Sequence, residues 1–360
     1  IGLRLSAQTP AYLHYGVRDG LPSNLIYYGL QDHDGLLWFA TDKGLARFDG
    51  SRFRNYDMSD GLPDSEVFYL KTDSRGRLWM FCYQKQPCYR QYGRIVTAQE
   101  DSLLAKIDFE TAIGDVAEDD RGQIWLSSYS NRFYVLTDTS IRRIQSVNAI
   151  NKTCCFPEGV IGATGNTGEY YFVTPDGKAE LRHNEPALAT AKKYIYFEKR
   201  GNHILWSTEN GLFLTEFHNG DLHIIDSQPG PTGRIYVDKS NRFWVCSLAG
   251  GAVCFDNTRQ DLSNPVVYLP GKKVTTFFED HQGTFWFCTA GEGVYALPRN
   301  SPVNYGRNEG LLARNITAVA RDVSGAILAG NDEGKMYVIP PAGAIQTIDY
   351  GSIDGYNRIR

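Results

Sequence analysis

Apolar and polar positions come in short bursts along this chain, and the bursts recur on a steady beat. The fullest is Asp32-His33-Asp34-Gly35-Leu36-Leu37-Trp38-Phe39-Ala40-Thr41-Asp42-Lys43-Gly44-Leu45. It reads as an acidic turn, a strand centred on tryptophan, a second turn closed by glycine, and the start of another strand. Leu37 and Phe39 point opposite to Trp38 and are just as apolar, which predicts a strand covered on both faces. The phrase returns at Asp73 to Trp79, Asp119 to Trp125, Arg200 to Trp206, Asp238 to Trp244 and Asp280 to Trp286. A worn copy, Asp322 to Leu328, has leucine in the tryptophan slot. All six tryptophans of the chain, Trp38, Trp79, Trp125, Trp206, Trp244 and Trp286, occupy this one position.

The gaps between them are 41, 46, 81, 38 and 42 residues, and the gap of 81 hides a copy without tryptophan around Gly159-Val160-Ile161-Gly162-Ala163-Thr164. A fixed period of this size is the mark of a stacked or circular repeat. Helical repeats of similar length exist, but 36 glycines, 13% aromatic residues and closely spaced turn signals favour short strands. Asp at the first turn position caps backbone donors and Gly at the fourth tolerates the unusual dihedrals. Antiparallel sheets covered on both faces pack side by side around an axis. The predicted fold is therefore an all-β propeller of four-stranded blades.

A second marker counts the blades. Tyr15-Gly16-Val17-Arg18-Asp19-Gly20-Leu21-Pro22 matches Tyr56 to Pro63 and Tyr305 to Leu312, and Asp19 lies 290 residues before Glu309. That span holds seven repeats. The expectation is a seven-bladed propeller over residues 12–306 after a signal remnant or disordered terminus at 1–11. Residues 307–360 form an eighth repeat that starts a second propeller; the alternative is one eight-bladed ring. Tyr12 to Val17 and Pro302 to Tyr305 compete for the strand that closes the ring.

Composition narrows the partners. The net charge is −4 and no lysine or arginine run occurs, so nucleic-acid binding through a basic face is not expected. No apolar stretch is long enough to span a bilayer. Ser6 and Ala7 in Ile1 to Gln8 resemble the tail of a secretory signal. None of the seven cysteines forms a C-x-x-C pair, and no metal or cofactor is expected. Cys246 and Cys254 stand equidistant from Gly250, which would set them opposite each other, as a cross-strand disulfide or as two buried thiols, the reading preferred here. There is no G-x-S-x-G, phosphate loop or H-E-x-x-H.

The combined motif, Asp-Gly-Leu-Pro followed by Asp-x-x-Gly-x-Leu-Trp and Thr-x-x-Gly-Leu, is fullest over Asp19 to Phe48 and resembles the two-component regulator propeller repeat. The resemblance covers nearly the whole chain and is weakest at 140–195. It implies the periplasmic, membrane-anchored sensor region of a bacterial histidine kinase or hybrid regulator, typical of Bacteroidetes. Two propellers, an immunoglobulin-like domain, a membrane helix and a kinase would follow one another. A homodimer is compatible with it.

The tryptophan repeat itself is assigned to packing, each buried aromatic contributing about 2–3 kcal/mol. Ligand contacts are expected in loops held by the ring. If the strand before the Asp turn is innermost, the turns after the tryptophan strands share one face with the Asp-Gly-Leu-Pro segments. That face carries Asp42, Lys43, Tyr83, Gln84, Lys85, Tyr129, Asn131, Arg132, Glu209, Asn210 and Glu292. Tyrosine, amide and charge together suit a polar small molecule or oligosaccharide. A scaffold for surface protein assembly is the alternative, and a streptogramin-lyase-like enzyme is a third reading. The lyase needs a histidine base at the channel mouth, and none of the seven histidines stands in those turns.

Overall fold

A computed structural model describes residues 9–83, 87–111, 113–128, 132–145, 152–156, 159–163, 169–173, 179–184, 196–218, 221–231, 233–248, 250–255, 262–263, 265–299, 303–304, 310–312, 315–340 and 344–351. Its contacts divide into two compact units, His14–Ala296 and the pair Ile1–Leu13 with Leu297–Arg360. The larger unit is an all-β propeller of seven four-stranded antiparallel sheets. Blade 1 runs through Ile26–Gln31, Leu37–Thr41, Gly44–Phe48 and Phe53–Tyr56, from the innermost strand outward. Blades 2 to 6 repeat this plan, beginning at Val67, Ile113, Lys152, Tyr196 and Gly233. The copy that lacks tryptophan is blade 4, with Gly159–Ala163 in the expected place.

Blade 7 takes three strands, Val274–Glu279, Phe285–Thr289 and Val294–Leu297, from the late part of the chain and its outer strand, Leu13–Tyr15, from the early part. That decides the competition for the closing strand. Val303–Asn304 pairs instead with Thr9–Pro10 in the other unit. Ring closure is also visible where blade 7 meets blade 1: Thr275 Oγ1 donates to the Ile26 carbonyl at 2.7 Å.

The repeat phrase has a single structural cause. In five blades the turn aspartate divides its two oxygens between tasks. Asp238 Oδ1 accepts the backbone N–H groups of Ser240 and Arg242 at 3.0 and 2.8 Å, while Oδ2 accepts the Trp244 indole N–H at 2.8 Å. Asp32, Asp73, Asp119 and Asp280 hold Trp38, Trp79, Trp125 and Trp286 at 2.6 to 2.9 Å. Blade 5 has no aspartate there, and Trp206 donates to Thr215 Oγ1 at 2.8 Å. An indole N–H can be buried only with an acceptor. All six tryptophans are at most 5% exposed.

Five of the indoles face the next blade, whereas Trp206 stands one residue nearer the turn that follows it than Trp38 does, and Leu205 takes the side that packs against blade 6. Trp38 packs with Leu70 and Met80 of blade 2, Trp79 with Val116 and Leu126 of blade 3, and Trp244 stacks on Phe277 of blade 7 at 4.1 Å. Leu21 and Leu62, from the Asp-Gly-Leu-Pro segments, are buried in the clusters between blades 7 and 1 and between blades 1 and 2.

One expectation is corrected by register. Cys246 lies opposite Ala252, and Cys254 opposite Trp244, because the turn spans residues 248–250 rather than centring on Gly250. The two are not cross-strand partners, and both are buried free thiols.

The second unit contains a four-stranded sheet of Ile316–Arg321, Ile327–Asn331, Lys335–Ile339 and Gln346–Asp349, the eighth repeat. Its first strand is largely exposed, whereas the matching strand of blade 1 buries Ile26 and Gly29. Asp322 Oδ1 caps its turn through Ser324 and Ala326, as in the other repeats.

Candidate functional site

The larger unit has two rims. At one, the Asp turns connect the innermost strands to the tryptophan strands. At the other, the innermost strands begin and the tryptophan strands end, as the pairings Ile26↔Thr41, Val67↔Cys82, Gly233↔Ser247 and Val274↔Thr289 require. The second rim opens on a cavity of about 850 Å³ walled by Tyr27, Phe68, Tyr196, Leu248 and Thr275, with Arg234 at its floor. A further cavity of about 460 Å³ continues down the centre between the innermost strands, and Tyr196 and Arg234 line both.

β-Bulges place the aromatic wall. The pairing skips one residue between Ile26 and Tyr28, between Val67 and Tyr69, and between Val274 and Thr276. The extra residues are Tyr27, Phe68 and Thr275, all lining the mouth. A bulge breaks the strict alternation of a strand. Tyr27 and Tyr28 can therefore both reach the interior, one at the mouth and one in the channel. The Tyr27 and Phe68 rings lie 5.1 Å apart. The Tyr27 hydroxyl donates to Glu66 Oε1, and burial, then this carboxylate, pushes its pKa up, so the phenol stays neutral.

Deeper in, Tyr28 and Tyr69 meet edge to face at 4.4 Å, and Tyr28 lies 6.2 Å from Tyr236. Burial raises the Tyr69 and Tyr236 hydroxyls well above their usual pKa. Arg234 sits against three of these rings, 5.4 Å from Tyr28, 5.4 Å from Tyr69 and 5.8 Å from Tyr196.

The residues singled out from the sequence divide into groups. Asp42 and Lys43 lie in the turn after the Trp38 strand, which Thr41 braces by donating to the Gly44 carbonyl at 2.8 Å and accepting the Lys43 N–H at 3.0 Å. Lys43 is exposed, and Asp42 is near enough to Tyr27 to help raise its pKa, after burial and Glu66. Tyr83 is exposed, its ring 6.3 Å from Phe68, which puts it beside the mouth. Glu209 and Asn210 are exposed in the equivalent turn of blade 5, where the Asn210 N–H donates to Thr208 Oγ1 at 3.1 Å.

Arg132 is tied into ion pairs with Asp108 and Glu110. Glu292 accepts from Lys272 at 2.5 Å and Tyr295 at 3.0 Å, and these two bonds, Lys272 first, hold its carboxyl below the usual range. Gln84, Lys85, Tyr129 and Asn131 lie outside the described residues. None of the described candidates walls the mouth cavity.

Sequence reasoning missed Tyr27, Phe68, Tyr196 and Arg234. A usable signal was present: paired aromatics, Tyr27-Tyr28 and Phe68-Tyr69, at one position of consecutive innermost strands. Among the described residues, no group of three or more His, Cys, Asp or Glu is arranged to hold a metal ion.

The family model described as two component regulator propeller matches residues 268–291, which include the Trp286 strand. No curated protein matches the chain. Among solved structures, one described as the extracellular domain of the hybrid two component system BT3049 from B. thetaiotaomicron superposes with a TM-score of 0.72 at 17% identity, covering 95% of this chain and 49% of that one. The chain thus spans about half the length of that domain. Virginiamycin B lyase from Staphylococcus aureus superposes with a TM-score of 0.62 at 15% identity, over 81% of this chain and 99% of that one. The Neurospora crassa Pan2 WD40 domain gives 0.60 at 11%, over 85% and 99%. Likeness at these identities establishes the propeller fold and says nothing about the ligand.

Proposed function

We propose that this chain, which carries the two component regulator propeller repeat, is the ligand-sensing region of an extracytoplasmic receptor. Its ligand is a polar small molecule or glycan fragment held at the mouth of the seven-bladed ring. One observation carries the reading: a cavity of about 850 Å³ walled by Tyr27, Phe68 and Tyr196. Aromatic faces with a few polar groups between them suit a sugar ring, which is apolar on its faces and hydroxylated at its edge.

In this reading binding alters the packing of the ring against a following domain, and a kinase receives that shift. The eighth sheet is then the first blade of a second propeller, its exposed innermost strand waiting for neighbouring blades. No helix among the described residues is long and apolar enough to cross a membrane, so the anchor of such a receptor would lie elsewhere in the protein. Catalysis is not assigned to this segment. A lyase would need a base at the mouth, and the described lining of the cavity contains no histidine.

Thermal-shift titration of the chain against neutral and acidic oligosaccharides, for wild type and Phe68→Ala, tests the proposal. The expected result is a saturable rise in Tm with at least one glycan, weakened about tenfold or more in the variant, in line with loss of an aromatic platform. No shift with any glycan would overturn the glycan assignment.

A further inference from the structure

We infer that the mouth cavity is built for an acidic ligand, with Arg234 as the residue that receives a carboxylate or sulfate group. The inference deepens the sensor reading and rests on it.

Arg234 is the only charged residue among the described lining of the mouth cavity. It stands on the innermost strand Gly233–Val237 at the neck where the mouth meets the central channel. Anything entering from the rim encounters it before the deeper chamber. Its guanidinium touches the Tyr28, Tyr69 and Tyr196 rings, yet among the described residues it has no ion pair and no hydrogen bond. Other arginines on the innermost or tryptophan-flanking positions are treated differently. Arg77 pairs with Asp73 at 2.6 Å, and Arg242 with Asp238 at 2.7 Å.

That contrast has a physical meaning. Arg234 is half-buried, and a guanidinium partly withdrawn from bulk water normally meets a carboxylate that accepts its N–H donors. Ring faces attract the cation but do not accept those donors in their plane. Burial raises the Tyr69 and Tyr236 hydroxyls well above their usual pKa, so these two support the charge without cancelling it. The fork is left free for a planar oxyanion, which an arginine binds through two parallel hydrogen bonds.

The neighbouring carboxylates have partners of their own. Asp115, in the deeper chamber, accepts the Thr153 N–H and hydroxyl at 3.0 and 3.2 Å. Glu118 accepts the Ser74 N–H at 2.8 Å. The backbone beneath Arg234 is also fixed. The Gly233 N–H donates to Ser207 Oγ at 3.0 Å, and a Cβ on Gly233 would fall 1.6 Å from the Cys246 carbonyl oxygen, so only glycine fits. The cation is preorganised by strand, turn and aromatic cage before any ligand arrives.

The test is titration of the chain, at constant ionic strength, with digalacturonate, its methyl ester, galactose 6-sulfate and galactose, read by Tm and by tyrosine fluorescence. The expected result is that at least one acidic probe binds wild type about tenfold or more tightly than its neutral counterpart, the gain expected of a charge-assisted bidentate contact. Whether the uronate or the sulfate shows the preference identifies the source of the oxyanion. Arg234→Met should abolish the preference and raise the Tm of the unliganded protein, because an unpaired charge has been removed. An Arg234→Met protein that keeps the preference would overturn the proposal, as would one with a lowered Tm in a chain whose wild type shows no preference. The wild-type comparison decides the matter even if the variant does not fold. Equal binding of acidic and neutral probes overturns the acidic assignment and leaves the sensor reading standing. Failure of every probe, together with failure of every glycan in the wider panel, overturns both.

Discussion

The two rims of the ring are made from the same strands and organised on opposite principles. At the Asp-turn rim one arrangement recurs around the circle, and adjacent blades are stitched together there. His33 bonds to the Asp73 carbonyl at 2.9 Å, the Lys239 N–H donates to Glu279 at 2.9 Å, and the Arg200 guanidinium donates to the Asn241 carbonyl at 2.7 Å. At the mouth rim the blades that line the cavity contribute different side chains: Tyr27 from blade 1, Phe68 from blade 2, Thr275 from blade 7, and Gly233 followed by Arg234 from blade 6. Repetition at the first rim fixes the blades, and that rigidity lets the second rim carry irregular side chains without loss of shape. Stability and recognition have been separated along the axis of one domain.

This separation can be attacked at several strengths. The largest effect is expected from Trp244→Ala. It removes the ring stacked on Phe277 and leaves Asp238 Oδ2 without its indole partner. The loss should be about 3–5 kcal/mol, the usual range for truncating a buried aromatic, measured by denaturant unfolding. An effect below 1 kcal/mol would mean that the indoles do not hold the blades together.

Gly293→Ala approaches from the mouth rim. Gly293 has φ of +73°, and a Cβ there would come 2.2 Å from the Tyr15 carbonyl oxygen. A cost of about 1–3 kcal/mol follows from backbone strain, and limited proteolysis should cut the closing strand Leu13–Tyr15 sooner than in wild type. Unchanged proteolysis would show that the strand does not depend on this close approach.

The smallest effect concerns Glu292. Its folded pKa is depressed, chiefly by Lys272. Its contribution is therefore present above the ordinary glutamate pKa and lost as pH falls through the lower folded value. The stability difference between wild type and Glu292→Gln should be slight at neutral pH and vanish in acid. A difference that grows on acidification would reverse the assignment.

Much of the ring was legible because its cause is local. An aspartate that closes a turn and takes an indole six residues later leaves both residues at fixed spacing in the chain, so repeating the bond repeats the word. The use of the second carboxylate oxygen was not legible, since spacing alone does not say which oxygen faces which donor. The mouth was harder for a different reason. Tyr27 and Tyr28 are adjacent, and simple alternation sends them to opposite sides of a strand; only the bulge brings both inward. Arg132 and Glu292 looked available because their ion-pair partners Asp108, Glu110 and Lys272 are 20 or more residues away in sequence. Polarity of a turn marks exposure to solvent or to a distant partner equally well.

The strand order of blade 7 has a consequence for how the protein is made. Leu13–Tyr15 leaves the ribosome well before its hydrogen-bonding neighbour, Val294–Leu297, which emerges about 280 residues later. Throughout that interval the nascent circle is an open arc with two raw edges, and its ends can be sealed only by a late, long-range docking event, which topology makes slow.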